Sequence, residues 1–201
     1  SLTQYFFNGS IDDVRIYNRV FSVGEIKRLY DQTQSKFNSS QSVNSLDRGL
    51  VGYWTFDGAD VSGTRAKDRS GNNNHGTLTN GPTTMQGKIG QALNFDGTSA
   101  LAGNDFVDLG VTPIILTGRE ANWTVCGWVK LDSNITVSNA GYVLYARNDD
   151  NGTFSSDTFI VYTDYSDTNA TKWMVNTDTA NFYQANTKLG PNIWYHLCQT
   201  V

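Results

Sequence analysis

Residues 122–131 read NWTVCGWVKL. Polar and apolar side chains alternate along this stretch, which places Thr124, Cys126 and Trp128 on one face. A period of two is the mark of a strand whose faces meet different surroundings. The closing stretch 193–201, IWYHLCQTV, repeats the pattern and runs to residue 201 without a turn signal. Between and before these two lie further short strands: 50–56 (LVGYWTF), 89–95, 106–109, 142–147, 158–163 and 172–176. Turns rich in Gly, Asn and Asp separate them, as in KDRSGNNNHG at 67–76. Short strands at this spacing predict an all-β sandwich or jelly roll.

Composition agrees. Seventeen of the 19 acidic residues are Asp, and only Glu25 and Glu120 are Glu, while Asn occurs 20 times. Helix formers are therefore scarce and turn formers abundant. Hydrophobic residues make up 38% and aromatics 12% of the 201 residues, which supports a packed core and argues against global disorder. The net charge of -4, with no basic cluster, excludes a phosphate-backbone binder, so no nucleic-acid partner is expected. No run of 18 apolar residues is present, so membrane insertion is not expected. The first residues, SLTQYFFNGS, have neither the basic region nor the apolar run of a signal peptide.

The N-terminal part has its own signals. In Ile11–Tyr17 strict alternation puts Asp12, Val14 and Ile16 on one face, and Ile11, Asp13, Arg15 and Tyr17 on the other. One short helix follows. Ser22 and Glu25 have capping-box spacing, and Ile26, Leu29 and Tyr30 form its apolar stripe. Residues 33–47 are rich in Gln, Ser and Asn and read as a polar linker.

Several motifs together carry a family resemblance. GLVGYWTFDG (49–58), DRSGNNNHGTL (68–78) and GKIGQALNFDGT (87–98) resemble the opening of a laminin-G-like jelly roll of the concanavalin A-like group, to which pentraxins belong. NWTVCGWVKL and WYHLCQTV (194–201) resemble its middle, and FNGSIDDVRIYNRVFSVGEIKRLYDQ (7–32) resembles its closing strand and helix. The resemblance implies a concanavalin A-like jelly-roll β-sandwich with one short helix. It also implies that the closing motif stands ahead of the opening one. Residues 1–32 are then the closing strand and helix of a preceding repeat, the segment that completes a neighbouring subunit, or the displaced end of a domain that completes itself. Residues 48–201 form a jelly roll that is incomplete at its C-terminus.

The resemblance also bears on chemistry. Cys126 and Cys198 read either as buried free thiols or as a disulfide. Pentraxins pair two cysteines at similar places, and His196-x-Cys198-x-Thr200 resembles their H-x-C-x-[S/T] signature, which implies the disulfide and an oxidising, extracellular setting. Laminin-G-like domains often bind calcium, which takes six to eight oxygen ligands. The candidate ligands are Asp12 and Asp13 in the closing strand, and Asp57, Asp68 and Asn73 in the opening loops. Each also has a bland reading as a turn-forming or rim residue. Were Asp12 and Asp57 to share an ion across two chains, calcium would control assembly.

Related glycosidases carry clustered Glu, which is lacking here, and Asp149-Asp150 reads as a solvated pair. No G-x-S-x-G, HExxH or P-loop occurs, and no enzyme activity is expected. Tyr165 and Trp173, in the loop-rich region 160–185, are the candidate glycan-binding aromatics, though Trp173 reads more simply as a core residue of an ordinary strand. Asn8, Asn38, Asn122, Asn134, Asn151 and Asn169 begin N-x-S/T sequons, a count close to what composition alone produces. The reading is a non-catalytic extracellular or cell-surface domain acting in adhesion or assembly. Its expected partners are copies of itself or neighbouring repeats. The alternative is a carbohydrate-binding module of a larger secreted protein, with glycans as partners.

Overall fold

The protein is described by a computed structural model covering residues 7–34, 46–97, 105–110, 122–132, 141–148, 154–163, 171–178 and 181–200. In the strands between 141 and 188 the description is of backbone pairing. The fold is an all-β sandwich, with one α-helix among the described residues. The elements in order are β1 (Asn8–Tyr17), α1 (Val23–Thr33), β2 (Leu50–Trp54), β3 (Val61–Ser62), β4 (Arg65–Ala66), β5 (Gly76–Thr79) and β6 (Thr83–Gln86). There follow β7 (Gln91–Asp96), β8 (Phe106–Asp108), β9 (Thr124–Leu131), β10 (Gly141–Asn148), β11 (Phe154–Thr163), β12 (Thr171–Asp178), β13 (Asn181–Leu189) and β14 (Trp194–Thr200).

All strand pairings among the described residues are antiparallel. The main sheet has the order β14-β9-β1-β7-β6, with β2 also paired to β1. A second sheet is β3-β4-β5-β8, and a third is the meander β10-β11-β12-β13. The main and second sheets enclose one core, in which Ile16, Trp54, Leu93, Val125, Val129 and Leu197 meet Ala66 and Leu78. Leu189, at the end of β13, reaches the same core. A smaller cluster on the opposite face of the main sheet joins Tyr17, Phe21, Leu29, Leu46 and Cys126.

The helix forms where its signals stand. Ser22 Oγ accepts from Glu25 N–H at 3.3 Å, while Ser22 N–H donates to Glu25 Oε2 at 2.9 Å, so two free donors of the first turn are satisfied. Arg19 adds an ion pair to Glu25 at 2.7 Å. Leu29 and Ile26 turn inward, and Tyr30 stays 38% exposed.

β1 is the centre of the main sheet. Along one edge it pairs with β9 from Gly9↔Leu131 to Tyr17↔Thr124. Along the other it pairs first with β7, at residues 8–11, and then with β2, at residues 14–17. The segment read as closing a preceding repeat, a neighbouring subunit or its own domain is paired here within its own chain. It fills a slot that β2, β7 and β9 leave between them.

Alternation along β1 is not strict, and this corrects the expected faces. Asp12 faces Trp128 and Arg15 faces Cys126, so β1 spends one more residue than β9 over this interval. Asp13 takes a left-handed φ of 55°, which makes a bulge. The bulge shifts the register of faces, and Ile11, Val14 and Ile16 all pack on the main core. Strand β13 and the small strands β3 to β6 also lie beyond the expected set. Their short, Thr-rich or Asn-rich segments carry little apolar alternation.

Candidate functional site

The site begins at the tip of the β6–β7 hairpin. Gly87 N–H donates to the Gly90 carbonyl at 3.0 Å and closes a four-residue turn between the paired Gln86 and Gln91. Two carboxylates from elsewhere hold this turn. Asp12 Oδ2 accepts from Ile89 N–H at 2.8 Å, and Asp57 Oδ1 accepts from Gln91 N–H at 2.7 Å. Gly58 N–H donates to Gln91 Oε1 at 2.6 Å, which fixes the far side.

Asp57 owes its place to the turn after β2. Phe56 adopts φ 56°, ending the strand two residues after Trp54, and Asp57 N–H donates to Thr55 Oγ1 at 3.1 Å. Thr55 Oγ1 donates in turn to Asp60 Oδ2 at 2.7 Å, and Asp60 is ion-paired to Arg69.

Asp12 owes its place to β1 just before the bulge. It is fully buried, and its Oδ1 has no hydrogen-bond partner. Burial pushes its carboxyl up to about 7, against the Ile89 N–H bond that lowers it, and the nearby Asp13 and Asp57 carboxylates add to the rise. A Cβ at Gly87 would stand 2.6 Å from Asp12 Oδ2 and 2.8 Å from the Gln91 carbonyl oxygen. Glycine at 87 is what lets the turn pack this closely against Asp12. The turn thus brings a buried carboxylate with an unpaired oxygen and a second carboxylate onto amides two residues apart. Such hard oxygen donors suit calcium, which accepts carbonyls and water beside one or two carboxylates. Among the described residues no group of three or more His, Cys, Asp or Glu is arranged to hold a metal, so any ion here would depend on carbonyls and water as well.

The other three candidate ligands make different contacts. Asp13 Oδ2 lies 3.2 Å from Arg15 Nη2, and the Arg15 guanidinium lies 4.2 Å from the Tyr53 ring centre. Asp68 is fully engaged by donors: Tyr53 N–H, Ser70 N–H, Ser70 O–H and Asn74 N–H all reach its carboxylate within 2.9 Å. These bonds hold the Asp68 carboxyl below its usual range despite the opposing effect of its burial. Asn73 is exposed, with φ 61°, in the same turn. His75 Nδ1 accepts from Asp68 N–H at 3.1 Å.

Cys126 and Cys198 are disulfide-bonded and stand directly opposite each other on β9 and β14. Beside them is a group that sequence reading did not single out. Trp128, His196 and Tyr30 lie with ring centres 5.1 to 5.9 Å apart, and Lys88 Nζ lies 4.8 Å from the Trp128 ring centre. The i, i+2 spacing of Cys126-Trp128 and His196-Cys198 was its only trace in the sequence. Desolvation, with some help from the Arg15 charge, pushes His196 down to about 4.

Tyr165 lies outside the described residues, and Trp173 is described only as a β12 position paired with Val161. Asn122 is exposed ahead of β9, whereas Asn8 is half-buried within β1. Asn38, Asn134, Asn151 and Asn169 lie outside the described residues. No helix among the described residues is long and apolar enough to cross a membrane. No family model, curated protein or solved structure matches the chain.

Proposed function

We propose that this chain is a non-catalytic, extracellular, laminin-G-like domain of jelly-roll type that acts in adhesion or in assembly of a cell-surface structure. The observation that carries the reading is the place of β1. A strand that precedes a polar linker supplies the middle of the main sheet, hydrogen-bonded on both edges. Among the described residues, 7–34 are held to the other strands by hydrogen bonds and packing and carry no disulfide, so an identical segment of a second copy fits the same slot. Exchange of such an element is a low-cost route to dimers and, when it does not close on itself, to filaments. The disulfide supports an oxidising compartment. The absence of an enzymatic role rests on the carboxylate census: Glu25 is absorbed in the helix cap, and the paired-Glu arrangement of related glycosidases is missing from the sequence.

Two differently labelled batches of the full chain, mixed and followed by energy transfer, light scattering and negative-stain microscopy, test this. Mixed dimers or polymers that disappear on deletion of residues 1–34 are the expected result. A monomer at all concentrations, with no mixed species, overturns exchange and leaves the carbohydrate-binding alternative. A glycan array then decides that alternative, a specific sugar hit supporting it.

A further inference from the structure

A cavity of about 100 Å³ opens on the face of the main sheet that carries α1. Its floor is two cross-strand pairs of β1 and β2, Arg15↔Tyr53 and Tyr17↔Leu50. Its rim holds Gln32, in the last turn of α1, and Asp47, in the turn before β2. Both rim residues are exposed, whereas Tyr17 is fully buried and the Arg15 side chain is only 15% exposed.

Floor and rim differ in charge. The Arg15 guanidinium meets Asp13 through Nη2, at 3.2 and 3.4 Å, and a fork of five N–H donors has capacity beyond that. Burial pushes the Tyr17 hydroxyl up to about 12, so it stands beside Arg15 as a neutral donor. At the rim, the Asp47 carboxylate joins the C-terminal end of α1, whose partial negative charge no basic side chain of the last turn offsets. The charges of Arg15 and Asp47 both reach Tyr17. Size narrows the choice of ligand. An apolar cavity of about 150 Å³ takes benzene, so this one takes a molecule of about five heavy atoms. A pyranose is too large to enter. A lone anion meets Asp13 and Asp47 as well as Arg15, and a lone cation meets Arg15. A molecule that carries both charges suits both ends.

From this arrangement we infer that the cavity binds a small amino-acid zwitterion, its carboxylate on Arg15 and Tyr17 and its ammonium on Asp47 and Gln32. Arg15, Tyr17 and Gln32 belong to the segment β1–α1, whereas Asp47, Leu50 and Tyr53 belong to the rest of the chain. Binding that needs both sides favours the seated state of β1 by mass action. The amino acid therefore also slows exchange of β1 between copies, a consequence that rests on the assembly reading above.

Titration calorimetry of the full chain with glycine and L-alanine tests the site, with acetate, methylammonium and D-glucose as comparison ligands. Glycine or alanine is expected to bind about 10-fold or more tighter than any of the three, because each of those lacks one charge-assisted contact or both. Asp47→Asn removes the partner of the ammonium and Arg15→Lys removes the fork, and each should weaken binding about 10-fold or more. Asp47 is exposed, so Asp47→Asn decides if Arg15→Lys fails to fold. L-alanine at about 100 times its dissociation constant should slow amide hydrogen exchange in residues 8–17 roughly 100-fold. No binding of glycine or alanine, equally tight binding of a comparison ligand, binding that survives Asp47→Asn, or binding without slowed exchange in β1 would each overturn the site. Binding and slowed exchange without any mixed oligomers would sustain the site and sink strand exchange alone, so the two failures are separable.

Discussion

Asp12 on β1 and Trp128 on β9 are cross-strand partners, both buried, and neither Asp12 Oδ1 nor Trp128 Nε1 has a hydrogen-bond partner. An unpaired buried polar group costs about 1–3 kcal/mol. The fold thus keeps two such groups side by side next to its central bulge. Lys88 lies over the Trp128 ring and brings a positive charge to the same spot.

In calcium-free buffer, Asp12→Asn should therefore raise stability. The variant removes a buried charge and keeps the volume of the side chain. A gain of about 1 kcal/mol or more in urea denaturation is expected. A loss of that size would show that the carboxylate is satisfied in solution.

Ser22→Ala should lower stability by about 1 kcal/mol, because it removes the acceptor for Glu25 N–H at the helix start. The denaturation midpoint should fall with no change in slope. An unchanged midpoint would mean that Arg19 and Glu25 hold the first turn by themselves.

Gly9→Ala should be among the most damaging single changes. Gly9 has φ 148°, and an added Cβ would overlap the Lys130 carbonyl of the neighbouring strand. A cost of about 2 kcal/mol or more is expected, with faster exchange along β1. Wild-type stability in this variant would mean that β1 does not pair with β9 as described.

Replacing both Cys126 and Cys198 by Ala opens a loop of 72 residues. On the chain-entropy view this costs up to about 4 kcal/mol. Thermal melting of the double variant, beside wild type with and without reductant, measures it. Equal melting temperatures would show that pairing of β14 with β9 suffices without the bond.

His196 makes stability fall as pH drops. Its folded pKa of about 4 lies below the ordinary 6.5, so the unfolded chain takes up the proton first. The native state is unpenalised above pH 6.5, loses stability between 6.5 and about 4, and loses no more from this residue below that. The total is on the order of 3 kcal/mol. Urea midpoints at pH 7.5, 5.5 and 4.5 should diverge between wild type and His196→Gln, the variant falling less. Parallel lines would place the imidazole in solvent.

What could be read in advance followed local rules. Ser22 and Glu25 announce the helix because a cap is made within four residues. The all-β class follows from alternation and from turn-rich composition. The bulge could not be read: Asp13 departs from alternation because β1 changes partner there from β7 to β2, and no neighbour in sequence records that. Asp12 and Asp57 stood among five candidate ligands, but only the fold separates them from Asp68, whose acceptors are consumed by its own turn. What joins them is the Gly87–Gln91 turn, which sequence reading took largely for strand. The Trp128–His196–Tyr30 group was hidden because it draws on three elements.

The central position of β1 also governs the order of events during synthesis. Tyr17 leaves the ribosome long before its partner Thr124 exists. At about 5–20 residues per second the strand waits roughly 5 to 20 s for β9. During that time only β2 and β7 can cover its apolar residues Ile11, Val14 and Ile16, and the edge that β9 later takes stays open. Asp12, Asp13 and Arg15, set among them, act as gatekeepers against premature pairing with other nascent chains.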